Sequence, residues 1–266
     1  MRIVYGSDLH LELNPYKQNL TIPDGDVLIL AGDIMSASSI QKWKNDARSR
    51  KTKLHVSTFT EQTRKFKNVL YVMGNHEHYG CVFSQTINIL KKYLIENNLN
   101  WKIMEDNIVD IDGKLFIGST FWTDFNKHNF TDMLTAQNGM NDYYWIYKDL
   151  TTPIIPDIIY ETNQNSIQFL ETVCRENKDL ETILITHHPL SHQGVNRMHS
   201  GNSLDSAFAS NLETIYEKYP QITHHFHGHT HIIKEYEIYD TKIYSNACGY
   251  EHEKIYNSFE WKIIDI

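Results

Sequence analysis

The sequence predicts an α/β fold with mixed sheets. Three observations carry that expectation. Arg2-Ile3-Val4-Tyr5-Gly6-Ser7, Val27-Leu28-Ile29-Leu30, Val69-Leu70-Tyr71-Val72-Met73 and Thr182 to Ile185 are short, mainly apolar runs closed by turn or polar residues. Such runs suit parallel strands buried on both faces. Segments with helical character lie between them, as in α/β folds. Each run also delivers a polar side chain at its C-terminal end, where open α/β sheets bind ligands.

The first run leads straight into Asp8-Leu9-His10. In an extended segment residues two apart point to one side, so Asp8 and His10 are expected to share a face. A polar loop with Pro15 and Pro23 follows, and the second run ends at Ala31-Gly32-Asp33. Residues 38 to 50 read as a helix capped by Ser38 or Ser39. Residues 51 to 60 are polar and show no clear pattern, and 61 to 67 read as a short helix. The third run ends at Gly74-Asn75-His76-Glu77-His78. Residues 82 to 98 form an amphipathic helix. Ile108 to Ile111 and Lys114 to Thr120 read as an antiparallel hairpin turned by Asp112-Gly113. Trp122 to Tyr147 is rich in aromatic residues. A helix over 163 to 177 precedes the fourth run, which delivers Thr186-His187-His188-Pro189. Ser191 to Ser203 is a polar loop with turn points at Gly194 and Gly201. Leu204 to Tyr219 reads as a helix and Gln221 to Phe226 as a strand. The tail segments Glu235 to Tyr239, Lys242 to Ser245 and Phe259 to Ile264 read as antiparallel strands. No internal repeat or low-complexity linker interrupts the chain. Candidate ligands run from position 8 to 231, so residues 1–266 are expected to form a single domain.

The most informative stretch is Thr223-His224-His225-Phe226-His227-Gly228-His229-Thr230-His231, with five histidines in eight residues. Gly228 is expected to allow a turn. His229 and His231, two apart in an extended segment, can aim at one point, as a metal site requires. A histidine tract alone is often a solvated loop. The Asp8 and His10 pair at the other end of the chain suggests instead one metal site built from both ends. A carboxylate and imidazoles together suit a divalent transition metal.

Composition narrows the function. The chain has 266 residues and a net charge of -8, from 33 acidic against 25 basic side chains. That balance argues against a protein that coats nucleic acid, though not against a nucleotide substrate. Cys81, Cys174 and Cys248 are odd in number and widely spaced, so neither a disulfide framework nor a Cys-x-x-Cys zinc site is indicated. The N-terminus enters a strand directly, so no signal peptide is expected. No apolar run approaches the roughly 18 residues of a membrane span. The expectation is a cytoplasmic protein, with oligomeric state left open.

Taken together, Asp8-x-His10, Gly32-Asp33, Gly74-Asn75-His76-Glu77, His187-His188-Pro189 and Gly228-His229-x-His231 resemble the five-motif order of the calcineurin-like metallophosphoesterases. The resemblance covers nearly the whole chain. It implies a four-layer α/β/β/α sandwich with two metals at the strand ends. It implies that Asp8, His10 and His231 hold one ion, that Asn75, His187 and His229 hold the other, and that Asp33 bridges them. His76 is implied to be an outer-sphere catalytic histidine. The implied reaction is hydrolysis of a phosphate ester by in-line attack of a metal-bridging hydroxide.

Elementary chemistry is compatible with that set. Two metals roughly 3.5–4 Å apart can clamp an in-line displacement, and a carboxylate suits the bridge. Imidazole mixed with oxygen suits iron, manganese, zinc or cobalt. His76 can protonate a leaving oxygen or neutralise phosphate charge. The protein Ser/Thr phosphatase branch has an arginine after Gly-Asp and another before Gly-Asn-His. Here Ile34-Met35-Ser36 follows Asp33 and Met73 precedes Gly74, so those phosphate-gripping arginines are missing. The chain looks more like the smaller bacterial phosphoesterase and phosphodiesterase branch. Within it, Trp122-Thr123-Asp124-Phe125, Met140-Asn141-Asp142-Tyr143 and Ala207-Phe208-Ala209-Ser210 are similar to one subgroup.

These features lead to an expected substrate that is a small phosphodiester or nucleotide rather than a polymer or a membrane component. Asn141, Tyr143 and Arg197 are candidate substrate contacts, Arg197 being the only arginine of the Ser191 to Ser203 loop. His227 is a further candidate, because it shares an extended face with His229. His78, His188, His224 and His225 read as outer or surface groups. Two alternatives remain at this point: a phosphomonoesterase, and a catalytically silent metal-binding regulator.

Overall fold

Every apolar run expected to be a strand forms one. The computed structural model describes residues 1–13, 21–41, 47–195 and 204–266. Its strands are β1 (Arg2–Gly6), β2 (Val27–Ala31), β3 (Asn68–Val72), β4 (Trp101–Ile103), β5 (Asn107–Ile111), β6 (Lys114–Ser119), β7 (Thr182–Thr186), β8 (Ile222–His227), β9 (Ile233–Ile238), β10 (Thr241–Asn246) and β11 (Lys262–Asp265). One sheet has the order β11-β1-β2-β3-β4, and the other β5-β6-β7-β8-β10-β9. β1 to β4 run parallel, as do β6, β7, β8 and β10, while β5, β9 and β11 are antiparallel edges.

The two-residue period of a strand explains the layers. On β2, Val27 and Ile29 face one way, and Leu28 and Leu30 the other. The first pair joins Ile3, Tyr5, Leu70, Val72, Phe116, Ile183, Ile185 and Phe226 in a core between the sheets. The second joins Val69 and Tyr71 beneath Val56, Phe59, Leu90 and Leu94 of the helices Ala47–Thr63 and Thr86–Glu96. On the opposite side, Leu115, Ile117, Leu184 and Ile222 pack against Leu170 and Val173 of the helix Pro156–Glu176. The result is helix, sheet, sheet, helix. Each fully buried aliphatic or aromatic side chain contributes about 1.5–3 kcal/mol of transfer free energy. The aromatic-rich stretch forms a separate cluster of Trp122, Phe125, Met133, Tyr143, Ile146 and Ile159. No helix among the described residues is long and apolar enough to cross a membrane.

Several boundaries differ from expectation, each for a physical reason. The helix expected over 38 to 50 is Ala37–Gln41, with a second helix at Ala47–Thr63. The second helix takes in the start of the segment expected over 61 to 67, and its middle, 51 to 60, shows no clear pattern because its buried stripe, Thr52, Val56, Phe59, Thr60 and Thr63, is largely threonine. Leu204 to Tyr219 is not one helix but two turns, Asp205–Phe208 and Thr214–Lys218. Between them Ser210 and Leu212 donate their N–H groups to Pro189 and Leu190, which breaks the helical ladder. The expected Asp112-Gly113 turn is present, with φ of 53° and 79° at its two central residues, as a two-residue hairpin turn of the primed type requires.

The tail holds the most consequential difference. β10 pairs antiparallel with β9, as expected, but it inserts beside β8 and runs parallel to it. Its C-terminal end therefore lies with those of β1, β2, β3, β7 and β8. A hairpin pattern cannot reveal which of its arms meets the rest of the sheet.

Candidate active site

Loops leaving β1, β2, β3, β7 and β8 meet at one point. The expectation that Asp8 and His10, or His229 and His231, lie on extended backbone does not hold. All four have left-handed φ, at 55°, 46°, 68° and 46°, and Asp33 joins them at 55°. That conformation costs about 1–2 kcal/mol for each such residue. Hydrogen bonds between loops hold it in place. Asp8 N–H donates to Gly32 O at 2.9 Å, His10 N–H to Asp33 O at 2.9 Å, and Gly228 N–H to His187 O at 3.0 Å. Strain of this kind concentrates at functional sites.

Gly228 serves close approach rather than a turn. A Cβ there would meet Asp8 Oδ2 at 2.6 Å and Ala31 O at 2.8 Å. Gly74 is tighter still, since its Cβ would stand 2.1 Å from Asp33 Oδ1 and 2.7 Å from His187 Cε1. Gly74→Ala is expected to lose about 1–3 kcal/mol through overpacking, and to lose metal binding because Asp33 must move. Thermal unfolding with and without manganese checks both; a stabilisation by metal equal to that of wild type would contradict the expectation.

The side chains converge closely. His231 Nε2 is 3.2 Å from His10 Nε2 and 3.4 Å from Asp8 Oδ1. Asp33 Oδ2 lies 3.8 Å from His10 Nε2 and 3.5 Å from His187 Nε2. Asn75 Oδ1 is 3.2 Å from His187 Nε2. Three overlapping groups, Asp8 with His10 and His231, His10 with Asp33 and His76, and Asp8 with Asp33 and His187, each place their ligand atoms within 4.8 Å of one another. The carboxylates are fixed from behind. Asp8 accepts from the Ser7 hydroxyl and from His229 N–H at 3.0 Å, and Asp33 from His76 N–H at 2.8 Å. Imidazole orientation is set in the same way. His187 Nδ1 lies 2.9 Å from Ala31 O and His231 Nδ1 2.7 Å from Glu253 Oε2. An N–H on each Nδ1 leaves the Nε2 lone pair facing the cluster.

The donor set fits divalent ions. His229 Nε2 is buried and has no hydrogen-bond partner among the described residues. Burial alone would lower the His187 imidazole, yet Asp33 lifts it to about 9. Burial likewise opposes charge on His231, which Asp8 and Glu253 lift to about 10. Buried carboxylates that pull protons onto neighbouring imidazoles mark a place that requires positive charge.

Other candidate residues fall in different places. Asn141 lines a cavity of about 320 Å³ together with Asp33, Asn75, His76, His229 and His231. Tyr143 is buried in the aromatic cluster and lines no described cavity at the site. His227 is buried with its Nε2 3.0 Å from the Tyr236 hydroxyl, also away from that cavity. Arg197 lies outside the described residues. His188 packs its ring 4.0 Å from that of His229, His225 sits between Thr186 and Tyr216, His78 pairs with Thr86, and His224 is half-buried near Glu181.

Sequence reasoning missed several participants. Glu77 accepts the N–H groups of Asp33, Ile34 and Gly74 at 3.0, 2.8 and 2.7 Å, tying the β2 and β3 loops together. Asp142 accepts from Asn75 Nδ2 at 2.8 Å and from the Tyr79 hydroxyl at 2.6 Å. Tyr250 and Glu253 arrive from the loop after β10. Only the direction of β10 could have placed them here.

The family profile described as calcineurin-like phosphoesterase matches residues 1–232. The chain belongs to this family. Its fold, with two mixed sheets and flanking helices, is the metallophosphoesterase fold. Members use divalent metals, and the Asp and His groups described above are where this member can hold them. Uncharacterized protein L509 of Acanthamoeba polyphaga mimivirus is 26% identical over 215 residues, spanning 76% of this chain and 74% of that one. Phosphopantetheinyl hydrolase (PptH) from Mycobacterium tuberculosis has a similar structure, with a TM-score of 0.66 at 13% identity, over 98% of this chain and 95% of that one. A putative 5'-nucleotidase from Staphylococcus aureus gives a TM-score of 0.50 at 12% identity, over 94% of this chain and 48% of that one. At these identities the structural likenesses concern fold alone. Tyr250 and Glu253 lie beyond the residues that the profile matches.

Proposed function

We propose that this phosphoesterase uses two divalent transition metal ions, drawn from manganese, iron, zinc and cobalt, to hydrolyse a small phosphodiester or nucleotide-like ester. The observation that carries the reading is the convergence of Asp8, His10, Asp33, Asn75, His187, His229 and His231 beneath one cavity. Asp8, His10 and His231 would hold one ion, Asn75, His187 and His229 the second, and Asp33 both. When bound, such a pair supplies a water that ionises near neutral pH and a clamp on the phosphate oxygens. The chain supplies the rest. Asp8 and Asp33 bring the negative charge that holds cations, Ala31 O and Glu253 orient His187 and His231, and His76 manages the leaving-group proton. Met140, Val195, Leu204 and Phe208 give the cavity an apolar side that excludes water and seats an organic group. Because donors come from loops spread from β1 to β8, we take the whole chain to act as one domain. Cys81, Cys174 and Cys248 are buried thiols, which suit a reducing compartment such as the cytoplasm.

The diester preference rests on charge. No lysine or arginine is among the described residues lining either cavity at the site. A doubly charged monoester has little beyond the metals to grip it, whereas a singly charged diester needs less. In the manganese-loaded protein, kcat/KM for bis-p-nitrophenyl phosphate is expected to exceed that for p-nitrophenyl phosphate by about tenfold, or ~1.4 kcal/mol. A tenfold preference for the monoester would replace the diester reading with a phosphatase. Turnover of neither ester by protein holding two ions would favour a metal-binding regulator.

A further inference from the structure

We propose that Tyr250 is a further catalytic residue, whose hydroxyl gives the leaving oxygen its proton while His76 resupplies it. The inference rests on the phosphoesterase reading above. His76 is enclosed by protein groups. Its Nδ1 faces Glu12 Oε1 at 3.7 Å, and its Nε2 is 2.9 Å from the Tyr250 hydroxyl. Both nitrogens therefore already face protein groups. The ring has little freedom to present either one elsewhere. Tyr79 stacks on it at 4.1 Å, and His10 stands edge-on at 4.4 Å. A proton leaving His76 for the cavity has the Tyr250 oxygen as its nearest carrier.

Tyr250 is built into the candidate metal site rather than draped over it. Its ring lies 4.6 Å from those of both His10 and His231, and it lines the cavity with Asp33 and His229. The loop that carries it is pinned to the β1 end. Cys248 N–H donates to Ser7 O at 2.9 Å, and Gly249 N–H to Asp8 O at 3.0 Å. Glu253 Oε2 accepts the Tyr250 N–H at 2.7 Å and also meets His231 Nδ1 at 2.7 Å. One carboxylate thus sets the tyrosine backbone and a candidate metal ligand together. Gly249 has φ of 75°, and a Cβ there would come within 2.4 Å of that carboxylate oxygen. Positioning at this level serves a group that must meet reacting atoms.

An attacking hydroxide oxygen forms its bond to phosphorus as the bond between phosphorus and the leaving oxygen breaks, and the electron pair of the broken bond passes to the leaving oxygen. The oxygen takes the Tyr250 hydroxyl proton, and the phenol oxygen takes the proton on His76 Nε2. Tyr250 ends unchanged, and solvent later returns one proton to His76.

The test uses the manganese-loaded protein and methyl aryl phosphates with leaving groups from p-nitrophenol to phenol. Wild type, Tyr250→Phe, His76→Ala and the double variant are compared. Phenylalanine keeps the ring contacts and removes only the hydroxyl. A poor leaving group needs its proton more, so the loss in Tyr250→Phe is expected to be at least about tenfold larger for the phenyl ester than for the p-nitrophenyl ester. This ratio does not depend on the fraction of protein folded or metal-loaded. Because the two groups act in series, the double variant is expected to fall no more than about threefold below the weaker single variant. An equal loss across the series would make Tyr250 a packing residue, and full additivity would separate it from His76; either result overturns the proposal. If wild type cleaves only monoesters, the diester preference fails, and the same comparison with aryl phosphates decides the role of Tyr250. Wild type that cleaves neither kind overturns the phosphoesterase reading and this inference with it.

Discussion

Asp33→Asn is expected to abolish most activity and to remove metal. Asparagine is the informative substitution, because Asp33 sits at a left-handed φ of 55° that asparagine tolerates and alanine resists. It also keeps an oxygen able to accept the His76 N–H, now 2.8 Å from Asp33 Oδ1. What it removes is charge. Asp33 is almost fully buried, with His10 Nε2 3.8 Å and His187 Nε2 3.5 Å from its Oδ2. Burial alone would raise the carboxyl, but His187, His76 and His10 hold it well below the usual carboxylate range. It is therefore ionised at neutral pH, and no other single residue faces both proposed ions. Losing several kcal/mol of metal and transition-state stabilisation corresponds to a fall in kcat/KM of about 10³-fold or more. Metal analysis after manganese loading should drop from two ions per chain to fewer than one, with circular dichroism unchanged. Retention of both ions, or a loss of activity below tenfold, would show that the bridging role belongs elsewhere.

The parts of this site legible in sequence are those where one short pattern both makes a strand end and names a candidate ligand. Val27 to Asp33 is such a pattern, and so are Val69 to Asn75 and Thr182 to His187. An apolar run fixes a buried parallel strand, and the next polar residue must then emerge at the sheet edge. The geometry of that emergence was not legible. Asp8, His10, His229 and His231 converge through left-handed turns braced by other loops, which local spacing does not encode. Nor was Tyr250, because its position depends on β10 inserting between β8 and β9. Tyr143 is the opposite case. Its residue type suited a cavity wall, but the helical turn Asp142–Trp145 directs it into the aromatic cluster and leaves Asn141 facing the site. The helix over residues 47 to 63 is legible only at its ends, within the segments 38 to 50 and 61 to 67, because threonine fills positions that leucine would otherwise mark.

His76→Ala is expected to keep both ions and yet lower kcat by about 10²–10⁴, the usual worth of acid–base help. Three features separate His76 from the proposed ligands. Its Nε2 already meets the Tyr250 hydroxyl at 2.9 Å, its Nδ1 faces Glu12 at 3.7 Å, and its backbone N–H braces Asp33. Alanine retains that N–H, so the carboxylate keeps its support and the metal cluster its shape. Burial would lower the imidazole, but Asp33 and Glu12 outweigh it and raise the pKa above the ordinary histidine value. The proton is thus held to higher pH than on a free imidazole, so activity that depends on it persists into the neutral range and fades as pH rises. In the alanine variant that alkaline decline should vanish along with the lost rate. The space left between Tyr79 and Tyr250 admits a free ring, so added imidazole should restore part of kcat for esters with poor leaving groups. Metal analysis decides the assignment: if His76→Ala loses an ion, His76 is a ligand, and the separation of metal binding from proton transfer at this site is wrong.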